Sequence, residues 1–282
     1  MVSIIITAYN VEDTIAKAVD SALSQTYPDI EVVVVDDCST DSTSEILASY
    51  GDRIKVICHE VNQGAGMARR NGIKGSSGDF AITLDADDWM DDDLVSRLVS
   101  KQVETGAEIV SGGVTVERQD GAWDAHCYSD KCVKTPKERV EAFLKEKVKF
   151  MNNKLIARRL LNEVEYCERR FIEDTPTIIP MLYLADGFAY AQTVGYHYLD
   201  NPKSLTHTAD SFKWGLFSAC SSLDIIHFME ERGFTDLNEL LVDSFTQAVN
   251  LVQASNPTKE DVAKYQDEWN YYTLELLKRM EE

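Results

Sequence analysis

The sequence predicts an α/β fold: an open, mostly parallel sheet flanked by helices on both faces, followed by a C-terminal helical extension. Three observations carry this. Short β-branched apolar runs alternate with helical patterns through residues 1–105, the order that folds as repeated strand–helix–strand units. Each apolar run ends in polar residues, as strands do when the carboxyl edge of a parallel sheet forms a ligand site. Past residue 208 the pattern turns helical to the end.

Val2–Thr7 is a continuous apolar run, which suits a strand buried on both faces. Val11–Ser24 places Val11, Ile15, Ala18, Val19, Ala22 and Leu23 at helical spacing. Glu31–Val35 is a second buried strand. Ser39–Tyr50 reads as a helix with Ser39 or Thr40 as N-cap and Ile46 and Leu47 on its apolar side. Ile54–Cys58 is a third strand, and Ala65–Lys74 a helix ended by Gly75. Phe80–Leu84 is a fourth strand running into an acidic turn, and Asp92–Thr105 an amphipathic helix. Glu108–Val116 and Trp123–Tyr128 read as strands about a turn at Asp120-Gly121. Pro136–Lys145 and Lys154–Leu161 read as helices. Thr175–Leu184 is a helix with Pro176 in its first turn and Pro180 disturbing its course. Gly187–Tyr198 has strand character. In the tail, Leu237, Leu240, Leu241, Phe245, Ala248 and Val252 share one helical face, and Val262, Tyr265, Trp269, Tyr272 and Leu276 share another.

The 282 residues suffice for one sizeable core without staples. Lys and Arg number 28 against 48 Asp and Glu, a formal net charge of −20, which argues against a protein that coats nucleic-acid phosphates. Residues 1–100 carry 7 basic and 18 acidic side chains, residues 101–208 carry 15 and 16, and residues 209–282 carry 6 and 14. The six cysteines include no CxxC pair, so no zinc site is expected. No apolar stretch is long enough to span a membrane, and Met1–Asn10 lacks the pattern of a signal peptide. A cytoplasmic protein with reduced thiols is the expectation.

The four strand ends carry the candidate chemistry. They read Thr7-Ala8-Tyr9-Asn10, Asp36-Asp37-Cys38-Ser39-Thr40-Asp41, Asn62-Gln63-Gly64-Ala65-Gly66, and Asp85-Ala86-Asp87-Asp88. Asp85 and Asp87 stand one residue apart after a buried strand and so point roughly the same way. That arrangement suits Mg²⁺ or Mn²⁺ held by one or two carboxylates plus substrate phosphates, whereas a capped Asp-rich turn is the plainer alternative. Glycines open the helix that carries Arg69 and Arg70, so backbone N–H groups and a guanidinium can meet a diphosphate there. The spacing is not GxGxxG after the first strand, which argues against an NAD site. His197 or His207 can complete a metal shell. Lys131 to Lys149, with Arg158, Arg159, Arg169 and Arg170, form a basic stretch suited to an anionic acceptor or simply to solvent.

In the order and spacing of these stretches the chain resembles the family 2 glycosyltransferases, which have the GT-A fold. Ser3–Asn10, Val34–Asp41, Asn62–Gly72 and Asp85–Asp88 carry the resemblance. Asn153-Lys154-Leu155, Phe171-Ile172-Glu173-Asp174, and Tyr196-His197-Tyr198 with Ser204-Leu205-Thr206 extend it to about residues 1–208. The resemblance implies a glycosyltransferase domain over 1–208, with residues 1–105 as the nucleotide-sugar-binding half and 106–208 as the acceptor half, and 209–282 as a helical region. It implies that Thr7, Ala8, Tyr9 and Asn10 line the nucleotide, with the Tyr9 ring stacking on the base. Asp37, or else Asp36, bonds the uracil. Asn62, Gly64 and Arg69 lie on the diphosphate or ribose side. Asp85 and Ala86 meet the donor's ribose or sugar, with Asp85 also near the metal, and Asp87 is the principal ligand of Mn²⁺ or Mg²⁺. Of the adjacent Glu173 and Asp174, Asp174 is favoured as general base. Cys38 stands where the family frequently has glycine.

The implied reaction is inverting transfer from a UDP-sugar to an acceptor hydroxyl, in surface polysaccharide or glycan synthesis at the inner face of a membrane. The implied partners are a glycan, lipid-linked or phosphopolymer acceptor, peripheral membrane contact, and a second copy through the C-terminal helices. Two rivals follow. A sugar nucleotidyltransferase would carry a Gly-rich basic loop after the first strand, where this chain has Thr7-Ala8-Tyr9-Asn10. An inactive nucleotide-sugar-binding module would not need Asp85, Asp87 and Asp174.

Overall fold

Buried β-branched runs set the framework. In the computed structural model, which describes residues 1–281 apart from 119, 122, 129, 170, 202 and 203, they become β1 (Val2–Ala8), β2 (Ile30–Asp36), β3 (Lys55–Cys58) and β4 (Phe80–Asp85). The helices between them are α1 (Ile15–Leu23), α2 (Thr43–Ala48) and α3 (Ala65–Lys74). β5 (Trp89–Met90), α4 (Leu94–Thr105), β6 (Ile109–Arg118), β7 (Trp123–His126), β8 (Lys131–Val133) and α5 (Pro136–Leu144) follow. β9 (Lys154–Ala157), α6 (Arg158–Glu163), α7 (Asp174–Leu184) and β10 (Phe188–Asp200) complete this part.

These strands form one sheet in the order β3-β2-β1-β4-β9-β6-β10-β5, with β7 on β6 and β8 on β10. The first four pair in parallel, as expected. Beyond them the sheet is mixed, because β9 enters antiparallel between β4 and β6. One face of β1, β2 and β4 buries Ile4, Ile6, Val32, Val34, Ile82 and Leu84 in a core with Ile15, Ala18 and Val19 of α1 and Leu94 and Leu98 of α4. Each such side chain contributes roughly 1.5–3 kcal/mol. On the other face α3 lies close over β1 and β2. A Cβ at Gly72 would stand 2.4 Å from Ile5 Cγ2 and 3.0 Å from Val35 Cγ2, so glycine sets this approach.

Four local expectations change. Lys154–Leu161 is not one helix: Lys154–Ala157 is fully buried and pairs as β9, and α6 begins only at Arg158. Helical and strand spacing cannot be told apart over four apolar residues, and the vacancy between β4 and β6 decides. The helix expected from Ser39 shrinks to α2, because Ser39, Thr40 and Asp41 serve the loop after β1 instead of capping. Asn10 donates its N–H to Ser39 Oγ at 3.0 Å, Thr40 N–H donates to Asn10 Oδ1 at 2.7 Å, and Glu12 N–H donates to Asp41 at 3.1 Å. α1 starts at Ile15 rather than Val11. The last tail helix is broken at Tyr265.

The chain divides into two compact units, Met1–Asn201 and Pro202–Glu282. The second holds α8 (Leu205–Thr208), α9 (Ser211–Glu231), α10 (Asn238–Ser255), α11 (Lys259–Lys264) and α12 (Gln266–Glu281). There α10 and α12 pack on α9, burying Leu216, Leu223, Leu241, Phe245, Val252 and Tyr272.

Candidate active site

The strand order places a switch point between β1 and β4. From β1 the chain moves on to β2 on one side and from β4 to the strands on the other, which puts a crevice at the carboxyl edge. Register brings the expected residues to that edge: Thr7 stands opposite Asp85, and Ala8 opposite Asp36. Tyr9 is 48% exposed, so its ring is open to stacking. Ala8 and Ala86 are buried, and only their backbones can face a ligand.

The three carboxylates of the acidic turn meet three environments. Asp85 Oδ1 accepts from Thr7 Oγ1 at 3.3 Å and from Arg69 Nη2 at 3.4 Å, and its Oδ2 accepts from Asn152 Nδ2 at 2.6 Å. Asp88 is buried, accepting from Tyr196 Oη at 2.6 Å and Leu199 N–H at 2.9 Å, and burial pushes its carboxyl well up despite those donors. Asp87, among the described residues, receives a hydrogen bond only from its own amide. Burial, reinforced by the charge of Asp85, pushes its carboxyl up to about 6.

Arg69 lies on the inward face of α3 and is only 3% exposed in its side chain. Its Nη1 donates to Asp174 Oδ1 at 2.6 Å and lies 3.6 Å from Glu173 Oε1. Burial works to discharge the guanidinium, but Asp174, Asp85 and Glu173 together hold it firmly charged. Arg69 therefore bridges the acidic turn to the start of α7. Its Nε is buried with no protein partner among the described residues. Asp174 Oδ2 accepts from Met151 N–H at 3.2 Å. Glu173 is pushed up by burial and by Asp174, against the pull of Arg69. A Cβ at Gly66 would lie 2.5 Å from Cys167 O and 3.2 Å from Glu173 Cγ, so this glycine lets the start of α3 close on the carboxylate pair.

The second strand end is committed inward. Asp36 accepts from Ser39 N–H at 2.9 Å and from Ser44 Oγ. Asp37 accepts from Gln63 N–H at 2.8 Å and Gly64 N–H at 2.7 Å, and its Oδ1 pairs with His59 Nδ1 at 2.7 Å. His59 Nε2 meets Asn71 Nδ2 at 3.0 Å, and Asn62 Nδ2 donates to Asp37 O at 3.3 Å. Asp36 thus braces the segment after β2, and Asp37 holds that segment to the loop after β3. Cys38 adopts φ +68°, the left-handed backbone that favours glycine at this turn.

His197 is not brought to the acidic turn as a ligand. Its Nδ1 meets Glu117 at 2.9 Å, its Nε2 meets Asp91 at 3.0 Å, and its ring stacks on Trp89 at 5.0 Å, so both nitrogens are taken. His207 lies in the second unit. Asp85, expected as a second metal ligand, already receives donors on both oxygens. Among the described residues no group of three His, Cys, Asp or Glu is arranged to hold a metal. The fit is to a cation that takes Asp87 and completes its shell from diphosphate oxygens and water. The undonated, charge-crowded Asp87 is suited to that role.

The basic stretch is partly consumed. Arg158 donates to Gly78 O, Ile73 O, Ser3 and Ser76, Arg159 pairs with Glu108 and Glu163, and Lys154 is buried on Glu146 at 2.9 Å. Lys131, Lys137, Lys145, Lys147 and Lys149 stay exposed, and Arg170 lies outside the described residues. Residues the sequence did not single out are Asn152, Thr83, His59 and the Tyr196 hydroxyl. Asn152 stands one position before the family-like Asn153-Lys154-Leu155, and an isolated Asn carries no spacing signal.

Comparison with known proteins agrees with this geometry. The model of glycosyl transferase family 2 matches residues 3–165. Succinoglycan biosynthesis protein ExoO of Rhizobium meliloti is 35% identical over 150 residues, covering 53% of this chain and 43% of that protein. WfaP of Escherichia coli, a UDP-Glc:alpha-D-GlcNAc-diphosphoundecaprenol beta-1,3-glucosyltransferase by name, is 43% identical over 105 residues, 36% of this chain and 40% of that one. The chain thus spans about two fifths of the length of these relatives. The crystal structure of S. aureus TarS 1-349 in complex with UDP-GlcNAc shares the fold, with a TM-score of 0.67 at 21% identity over 89% of this chain and 72% of that one. Matched by the family model over more than half its length, and carrying the corresponding strand-end residues at one sheet edge, the chain belongs to glycosyl transferase family 2.

Proposed function

We propose that this protein transfers a sugar from a UDP-sugar to an acceptor hydroxyl with inversion, in the synthesis of a surface polysaccharide or related glycan. One observation carries the reading: Asp87, at the switch point, is the carboxylate of the acidic turn that among the described residues has no donor beyond its own amide, while Asp85 beside it is linked through Arg69 to Asp174. Asp87 would hold Mn²⁺ or Mg²⁺. When bound, the cation supplies positive charge to the diphosphate leaving group. Tyr9 stacks on the base. The acceptor oxygen bonds to the anomeric carbon, the bond to the diphosphate breaks, and the electron pair leaves with UDP. Asp174 takes the hydroxyl proton, since an alcohol is too weak an acid to ionise alone. Glu173, pushed up by burial and by Asp174, is the adjacent carboxylate and the alternative base.

The UDP-sugar bound to TarS and the lipid-diphosphate acceptor in the name of WfaP support the donor and acceptor classes. Among the described residues no helix is long and apolar enough to cross a membrane. Peripheral contact with its inner face and a cytoplasmic site of action complete the proposal. Self-association would use Leu274 and Leu277, both exposed on α12. The test is UDP release from a panel of donors with Mn²⁺ and lipid-linked or glycan acceptors. Turnover of one donor is expected. Failure of every donor, together with no thermal protection by UDP–Mn²⁺, overturns the reading. NTP-dependent pyrophosphate release would favour the nucleotidyltransferase instead.

A further inference from the structure

Four links close a ring through this site. Asp85 Oδ1 accepts from Arg69 Nη2 at 3.4 Å, and Arg69 Nη1 donates to Asp174 Oδ1 at 2.6 Å. Asp174 Oδ2 accepts from Met151 N–H at 3.2 Å, and the next residue, Asn152, donates its Nδ2 to Asp85 Oδ2 at 2.6 Å. The ring spans three separate stretches of sequence: the end of β4, α3, and residues 151 to 174. A fifth group fixes its orientation. Thr83 Oγ1 donates to Asn152 Oδ1 at 2.8 Å, and both side chains are buried. The amide can face only one way. Turned over, it would set its carbonyl oxygen against the Asp85 carboxylate, which can only accept; the Thr83 hydroxyl anchors the other end of the amide.

We propose that Asn152, anchored by Thr83, is a positioning residue that fixes Asp85 and with it the spacing between the donor-holding carboxylate and the base Asp174. The proposal rests on the glycosyltransferase reading above. Thr83 and Asp85 point to the same side of β4, two residues apart, so one buried hydroxyl beneath the site governs a carboxylate at its surface. Asn152 touches neither donor nor acceptor in this scheme and acts through Asp85. Because Met151 and Asn152 are adjacent, one rigid segment reaches both carboxylates at once. The other connection between them is the Arg69 guanidinium.

The test compares Thr83→Val, Thr83→Ser and Asn152→Ala in the full chain. Val keeps the volume of Thr83 and removes its hydroxyl, whereas Ser keeps the hydroxyl. A purely packing role predicts that Val is harmless and Ser is not. The positioning role predicts the reverse. Thr83→Val and Asn152→Ala should lower kcat/KM for the UDP-sugar by about 10- to 100-fold, the scale of a misplacement near 1 Å. Thr83→Ser should stay within about threefold of wild type. A readout independent of turnover is the thermal protection given by UDP–Mn²⁺. It should persist in Thr83→Val, because Asp87 is untouched, while protection by an unreactive UDP-sugar analogue beyond that of UDP should shrink. Thr83→Val at wild-type kcat/KM, or Thr83→Ser as impaired as Thr83→Val, overturns the proposal. Absence of turnover and of UDP–Mn²⁺ protection in wild type instead overturns the functional reading on which it rests.

Discussion

Asp85, Asp87 and Asp88 have the same side chain within four residues, and what distinguishes them is who donates to them. Asp88 has Tyr196 and Leu199, Asp85 has Asn152, Arg69 and Thr7, and Asp87 has its own amide alone. Burial and Asp85 raise Asp87 from 3.8 to about 6, so below about pH 6 the folded apo protein favours its protonated form. The sign follows. Between those values the native state binds more protons than the unfolded one, and Asp87 costs stability increasingly as pH rises to about 6. Asp87→Asn should therefore raise apo stability by up to roughly 3 kcal/mol at pH 7. The gain should fade as pH drops and vanish below about 4, read by thermal melts across pH. The same variant should lose Mn²⁺-dependent protection by UDP, and retained protection would move the metal site elsewhere. Asp174→Asn should cut transfer by about 10²- to 10⁴-fold with UDP binding unchanged, measured by UDP release and by titration. The spacing of Asp85, Asp87, Glu173 and Asp174 was legible in the sequence. Which carboxylate lacks an outside donor was not, because most of the donors come from residues more than sixty positions away.

Elements hold the site through contacts at their far ends. Glu31, on β2, gathers Ser3 Oγ at 2.7 Å, Ser77 N–H at 2.5 Å and Gly78 N–H at 3.0 Å on one oxygen, tying β1 to the turn before β4. Burial opposes its charge, but those donors hold its carboxyl below the usual value. A lowered acid contributes stability that is present above its unfolded value and lost as pH falls through the folded one. Glu31→Gln should thus cost about 1–2 kcal/mol at pH 7, and the difference from wild type should close under acid, as urea melts would show. Gly72→Ala should cost about 1–3 kcal/mol by forcing α3 off β1 and β2, with the midpoint of the same melts as the measure. Long periodic elements such as α3 and β1 were legible because their own spacing specifies them. β9 was not, since Lys154–Ala157 is a strand only because β4 and β6 stand on either side of it.

At the scale of the whole molecule, the strand-end residues and the base lie in Met1–Asn201. A chain cut after Asn201 should keep UDP–Mn²⁺ binding if it folds as that compact unit does, which its melting curve with and without UDP–Mn²⁺ checks. The net charge of −20 concentrates in residues 1–100 and in the tail. In the first part, three of the carboxylates belong to the acidic turn, where a divalent cation would offset them. The sequence by itself determined the alternation of strands and helices, the polar strand ends, the acidic turn and the family, because these are properties of neighbouring residues and their spacing. Only the tertiary structure decided that Arg69 bridges Asp85 to Asp174, that His197 is bound by Glu117 and Asp91, and that Asn152 and Thr83 underlie the site. Each depends on a hydrogen-bond partner far away in sequence, and no local pattern encodes which donor will be brought to which acceptor when the sheet assembles.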